Sequence, residues 1–151
     1  MKNMKWMFLG VLTMIFVSCQ KTKVNIVMPQ EASNRVQFAC EELQEALEEA
    51  GYLPIMQTES EIPIEGEVCI RLKQADSSEG LKKEGFCIVT SDGVTTVTGN
   101  DGTGVIYGCR EIIDRMEANC GQLDLPENFE DAPEMVLRGG CVGIQKMEYL
   151  P

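Results

Sequence analysis

From Glu31 to Ala50 the apolar residues Val36, Ala39, Cys40, Leu43, Ala46, Leu47 and Ala50 recur at steps of three and four, with Glu41, Glu42, Glu45, Glu48 and Glu49 mainly on the other side. That period predicts an amphipathic helix stopped by Gly51. A second helical period carries Val105, Ile106, Cys109, Ile112, Ile113 and Met116 and ends near Gly121, with Arg110–Asp114 and Glu111–Arg115 as i, i+4 pairs on its polar side. Between and before these helices lie short β-rich runs: Val24 to Met28, Tyr52 to Gln57, Glu67 to Leu72, Phe86 to Thr90 and Val94 to Thr98. Pro54 lacks the N–H that an inner strand must donate, so the second run is expected at a sheet edge. Ser91-Asp92-Gly93 joins the last two runs, and Asp-Gly supplies the positive φ angles of a tight hairpin. The stretches Thr58 to Gly66 and Lys73 to Gly85 show no period and are expected to be irregular.

The first eighteen residues follow a different pattern. Lys2 and Lys5 precede an apolar run from Trp6 to Val17, too short to span a bilayer comfortably and typical of a signal peptide. Ser18 followed by Cys19 resembles a bacterial lipoprotein cleavage site, which makes Cys19 the expected lipidation residue and the protein an exported, membrane-anchored lipoprotein of the periplasm or outer membrane. Beyond Lys21 and Lys23 the start of the exported part carries no basic cluster for anionic lipid, so the membrane partner is reached through the lipid anchor.

Composition narrows the chemistry. The 151 residues carry a net charge of −11, with 24 acids against 13 bases. Nucleic-acid affinity comes chiefly from Lys and Arg neutralising phosphates, so nucleic acid is not an expected partner. There is no His, which excludes Ser-His-Asp and Cys-His nucleophilic sites and His-ligated zinc. Six cysteines follow Cys19, at 40, 69, 87, 109, 120 and 141, widely and irregularly spaced without C-x-x-C. They are even in number, which permits disulfides in an exported chain, but most occupy apolar positions and are expected to serve as small core residues. No metal site and no cofactor is expected.

Two polar features invite a functional reading. The glutamates of the first helix lie on its outward stripe, where carboxylates are usually just solvated, and are assigned no chemistry. Gly99-Asn100-Asp101-Gly102-Thr103-Gly104 opens the second helix with the outer spacing of a phosphate-binding loop, but Val105 stands where the loop's Lys belongs. A tight turn with Asn100, Asp101 or Thr103 capping the helix is the expected arrangement.

Order and spacing of these phrases carry a resemblance. Glu84-Gly85-Phe86-x-Ile88, then the hairpin, then Gly99-Asn100-Asp101-x-x-Gly104-Val105-Ile106-Tyr107-Gly108 resembles the small N-terminal domain that precedes the barrel in several glycoside hydrolases. The likeness is greatest to bacterial β-N-acetylhexosaminidases of family 20 and to α-glucuronidases. Ala39-x-x-Glu42-Leu43-x-x-x-Leu47-x-x-x-Gly51 resembles their first helix, and the matches together run from about Val24 to Gly140. The resemblance implies an α/β (α+β) two-layer sandwich, a mixed sheet with two helices on one face, that holds no catalytic residues of its own. It also implies that Val136 to Ile144, with its Arg138-Gly139 pair, is the first strand of a (β/α)₈ barrel. Arg138 matches a position that touches sugar hydroxyls at the mouth of such a barrel; buttressing the interface between domains is the other role open to it.

The expected organisation is therefore a signal peptide over 1–18, a hexosaminidase/α-glucuronidase N-terminal-like domain over 19–122, a linker over 123–135 and the start of a catalytic barrel over 136–151. Residues from Leu123 onward are expected to add little to the stability of the two-layer core. The expected function is that of a non-catalytic fragment of an exported glycoside hydrolase, meeting carbohydrate through the barrel. A stand-alone carbohydrate-binding module is the alternative, but few aromatics remain after the signal segment to stack on sugar rings: Phe38, Tyr52, Phe86, Tyr107, Phe129 and Tyr149. The export reading has a direct check. In a bacterial host, Cys19→Ser should move the protein from the membrane fraction to the soluble fraction; equal partitioning of the two forms would contradict lipidation.

Overall fold

The computed structural model describes residues 21–59, 68–75 and 80–135. Cys19, Arg138, Cys141 and the expected barrel strand lie outside the described residues. Eight elements follow in the order β1 (Lys23–Met28), α1 (Asn34–Glu49), β2 (Leu53–Thr58), β3 (Val68–Gln74), β4 (Phe86–Ser91), β5 (Val94–Gly99), α2 (Gly102–Ala118) and β6 (Asn128–Asp131). The six strands form one sheet in the order β2-β1-β3-β5-β4-β6. β2, β1, β3 and β5 run parallel, while β4 is antiparallel to both β5 and β6. The sheet is mixed, as the resemblance implied, and Pro54 sits on its edge strand β2.

Each helix begins where a short polar side chain can take up its free N–H groups. Ser33 caps α1 with extended backbone, its Oγ accepting from the Val36 N–H at 3.4 Å. Asp101 caps α2 more completely, with Oδ1 accepting from the N–H groups of Thr103 at 2.9 Å and Gly104 at 3.0 Å. A cap of this kind contributes about 1 kcal/mol. At the hairpin, Asp92 and Gly93 take φ angles of 52° and 79°, the positive values that a two-residue turn between twisted strands demands.

Both helices lie on one face of the sheet and share one apolar core. Val36, Ala39, Cys40, Leu43 and Leu47 of α1 and Val105, Cys109, Ile112, Ile113 and Met116 of α2 meet Val24, Ile26, Ile70, Leu72, Phe86, Ile88 and Val97 from the strands. Alternation along the strands turns Asn25, Val27 and Cys69 to the opposite face, where they too are buried. α2 descends very close to the sheet. A Cβ at Gly104 would strike the Gly85 carbonyl, and one at Gly108 would strike Val97 Cγ1.

The stretch read as a linker, residues 123–135, is a working part of this fold. Leu123, Leu125 and Phe129 pack against the core, and β6 pairs with β4 from Phe86↔Asp131 to Val89↔Asn128. The Leu123 N–H donates to Tyr52 Oη at 2.8 Å. The Thr90 N–H donates to the Glu127 carbonyl at 3.0 Å and Thr90 Oγ1 to the Pro126 carbonyl at 2.8 Å. Thr90 has one hydroxyl proton, so the 2.9 Å contact with Thr95 Oγ1 has Thr95 as donor. The expectation that residues from Leu123 onward add little is therefore corrected. Its cause is compositional: β6 is an acidic edge strand with Phe129 as its one large apolar residue, and Pro126 and Pro133 flank it. Phe129→Ala should lower stability by about 2 kcal/mol, because a half-buried aromatic leaves both transfer energy and a cavity. A urea midpoint unchanged from the parent would show that β6 does not hold the sheet.

Candidate functional site

One cleft lies between α2 and the end of β6. It is a cleft of about 260 Å³ lined by Phe86, Tyr107, Arg110, Glu111, Asp114, Asp131, Ala132 and Pro133. Helical spacing places Tyr107, Arg110, Glu111 and Asp114 on successive turns of the exposed side of α2. The strand-to-loop passage after β6 supplies the facing wall. Phe86 reaches the cleft from the first position of β4.

Its charges are largely engaged with one another. Arg110 Nε lies 3.2 Å from Asp114 Oδ1, and its guanidinium also approaches Glu42 Oε2 of α1 at 3.8 Å. Arg115 Nε donates to Glu111 Oε1 at 2.7 Å. The same guanidinium stands 4.6 Å over the Phe129 ring, and Phe129 in turn meets Phe86 with centroids 6.0 Å apart and planes tilted by 42°. The sequence paired Arg110 with Asp114 and Glu111 with Arg115. It held no sign of the contact with Phe129, because that contact depends on β6 joining the sheet. What the arrangement does is join α2 to β6 through the Arg115 guanidinium on the Phe129 ring, with Glu111 holding that guanidinium from within α2. In this small open cleft Glu111 and Asp114 are each paired with an arginine, and Asp131 Oδ1 accepts from the Ala132 N–H at 2.7 Å.

The glycine loop has the opposite fate from phosphate binding. The helix N–H groups that a phosphate would need are held by Asp101 Oδ1, while Asp101 Oδ2 accepts from the Glu84 N–H at 3.3 Å. The loop is anchored on its other side by Asn100, whose side chain donates to the Leu81 carbonyl at 2.8 Å and whose N–H donates to the Gly85 carbonyl at 2.9 Å. A fixed carboxylate at that helix terminus repels a second anion. Of the expected caps, Asp101 is the one used.

The thiols behave as core groups where they are enclosed. Cys40, Cys69 and Cys109 are buried and free, Cys87 is half-buried, and Cys120 is exposed at the end of α2. Burial pushes the Cys40 thiol up to about 11, with Glu41 adding to it. Burial raises Cys109 further, and Cys40 nearby contributes in the same sense. Cys69 is raised by burial and partly offset by Arg71. Among the described residues no group of three or more Cys, Asp or Glu side chains is arranged to hold a metal ion. Of the outward glutamates of α1, Glu42 reaches Arg110 at 3.8 Å and Glu49 borders an open cleft of about 270 Å³ beside Glu117 and Cys120.

Comparison with known proteins finds likeness at the level of structure. No family model matches the chain, and no curated protein sequence matches it. Among solved structures it is similar to a GH138 enzyme targeting pectin rhamnogalacturonan II, with 42% identity and a TM-score of 0.69 over 84% of this chain. The chain spans only 14% of that enzyme. It also matches the GH20 β-N-acetylhexosaminidase of Streptomyces coelicolor A3(2) at 22% identity and a TM-score of 0.40, covering 60% of this chain and 16% of that one. A third match is CpGH84D, at 18% identity and a TM-score of 0.45 over 72% of this chain and 19% of that one. The GH138 match thus relates this chain in structure to a small part of one glycoside hydrolase.

The thiol environments lead to a pH expectation. Because Cys40 and Cys109 are raised in the folded state, unfolding lets them ionise earlier. Their contribution to stability is complete below about pH 9 and is lost as pH rises toward and through the folded values. The urea midpoint should therefore fall between pH 9 and 11, and Cys40→Ala/Cys109→Ala should flatten that fall. At about pH 8, below the ordinary thiol range, an aromatic disulfide reagent should label Cys120 first and reach Cys40 and Cys109 only on unfolding. Prompt labelling of either buried thiol would contradict the enclosure described.

Proposed function

We propose that this chain is a non-catalytic domain of a larger exported glycoside hydrolase, placed ahead of the catalytic domain and anchored to the bacterial membrane through Cys19. The observation that carries the reading is the GH138 match: 42% identity across 84% of this chain, confined to 14% of the enzyme's length. Identity at that level over a complete two-layer fold supports a shared part of a shared architecture. The substrate class that follows from it is pectin rhamnogalacturonan II polysaccharide. In this reading the first strand of the catalytic domain begins at Val136, and Arg138 stands at the sugar site, where a planar forked guanidinium suits vicinal hydroxyls.

The division of labour agrees with the chemistry of the cleft. Glycoside hydrolysis by the usual route requires two carboxyl groups flanking the scissile bond, one able to protonate the leaving oxygen. Here Glu111 and Asp114 are each tied to an arginine one turn along the same helix. The described domain therefore contributes scaffold, and turnover belongs to the part of the enzyme that follows. Purified residues 20–151 should release no sugar from rhamnogalacturonan II oligosaccharides, aryl hexosaminides or aryl glucuronides. Turnover of any of them by the pure protein would overturn this assignment.

A further inference from the structure

The chain lays β2 against one side of β1 and then β3 against the other, so the order of the parallel strands reverses at β1. In open sheets of this kind, ligands bind in the crevice outside the carboxyl ends of the strands at such a reversal. A cleft of about 420 Å³ lies there. Ala32 and Val36, at the start of α1, form its apolar wall; Glu31 stands after β1, Glu59 after β2, and Lys73 and Gln74 at the end of β3. Its rim is tied down by backbone bonds. The Glu59 N–H donates to the Met28 carbonyl at 3.0 Å, and the Ala75 N–H to the Gly99 carbonyl at 2.7 Å. Gln37 Nε2 donates to the Ala32 carbonyl at 3.0 Å. The volume falls within the range of small-molecule sites, about 300–1,000 Å³.

The side chains of this cleft set the class of ligand. Two carboxylates accept hydrogen bonds, an ammonium donates, and the Gln74 amide does both. Two acids against one base disfavour a phosphate or a carboxylate. A neutral sugar meets all of these groups: its hydroxyls donate to Glu31 and Glu59 and accept from Lys73 and Gln74, and the charge on one partner strengthens such bonds. The C–H side of the ring packs on Ala32, with Val36 at the base. No aromatic ring lines the cleft among the described residues, so recognition runs through hydrogen bonds to one ring rather than stacking along a chain.

The strand directions place this cleft relative to the rest of the polypeptide. β6 is antiparallel to β4, as β5 is, so β6 runs in the same direction as β1 and β3. The chain beyond Asp131 therefore leaves by the end of the sheet on which the cleft opens. Four strand spacings, about 19 Å, separate β1 from β6 along that end. We infer that the cleft at the carboxyl ends of β1, β2 and β3 binds one neutral sugar unit of a polysaccharide, held by Glu31, Glu59, Lys73 and Gln74. This rests on the reading of the chain as part of a larger glycoside hydrolase. It gives the non-catalytic domain a hold on the polymer at a distance from the site of turnover.

The test follows the amide NMR signals of residues 20–151 during titration with L-rhamnose, D-galactose and D-galacturonate. Rhamnose or galactose should move the Glu31, Glu59 and Ala75 amides saturably, with a Kd of about 1–10 mM. Galacturonate should bind about fivefold more weakly or worse, because its carboxylate meets two others. Glu59→Ala and Gln74→Ala, both at exposed positions and checked for an unchanged thermal midpoint, should each weaken binding by about fivefold or more. Asp114→Asn, outside the cleft, should leave it within about twofold of the parent. Galacturonate binding as tightly as the neutral sugars, or affinity that both cleft variants leave intact, overturns the role given to these side chains. No saturable shift at the cleft amides with any of the three sugars overturns the site itself. Neither result touches the reading of the chain as a non-catalytic part of a hydrolase, whose own test is sugar release by the chain.

Discussion

The close approach of α2 to the sheet is the constraint on which the rest of the structure depends. Gly104 lies against the Gly85 carbonyl and Gly108 against Val97 and Phe86, so neither position has room for a Cβ. Only at that separation can Val105, Cys109, Ile112 and Met116 reach the same core as Val97 and Ile88. The Gly85 carbonyl that Gly104 abuts also accepts the Asn100 N–H, which fixes the start of the helix relative to the start of β4. A helix held in place so firmly at its first turn presents its remaining turns in a fixed register. Tyr107, Arg110 and Asp114 therefore face outward, and Arg115 falls over Phe129.

Chemistry that looked available in the sequence is spent on this arrangement. Asp101 and Asn100 hold the loop, Arg115 on Phe129 holds α2 to β6, and Cys40 and Cys109 fill space between the helices and the sheet. Burial raises those thiols away from the thiolate form that would make them nucleophiles or metal ligands. A domain whose loop and helix polar groups are engaged in holding its own elements together is suited to positioning a neighbour. That is the role a short portion of a large hydrolase calls for, and it agrees with a match to 14% of the GH138 enzyme.

Much of the fold was legible because the local signals agreed with the tertiary outcome. The three- and four-residue steps of α1 and α2 correspond to their buried faces, and Asp92-Gly93 formed the expected turn. β3 runs on to Gln74, two residues past the expected Leu72, because Lys73 and Gln74 pair with Thr98 and Gly99 of β5, a partner the local pattern does not show. β6 was illegible for a similar reason. Asn-Phe-Glu-Asp has one apolar residue in four, and only the presence of β4 and the Arg115 guanidinium turns Phe129 into a packing residue. The i, i+4 pairs of α2 could be read from spacing, whereas the cleft they border needs the return of the chain along β6 and could not.

The central claim is that this domain is an interchangeable, non-catalytic part of a larger glycoside hydrolase. The most direct measurement is a chimera in which residues 24–135 replace the matched portion of the GH138 enzyme, assayed on rhamnogalacturonan II oligosaccharides with the deletion lacking that portion as reference. The account predicts that the chimera folds in a single cooperative transition and retains the parent's sugar release. A chimera that unfolds in two separate steps, or one no more active than the deletion, would contradict it.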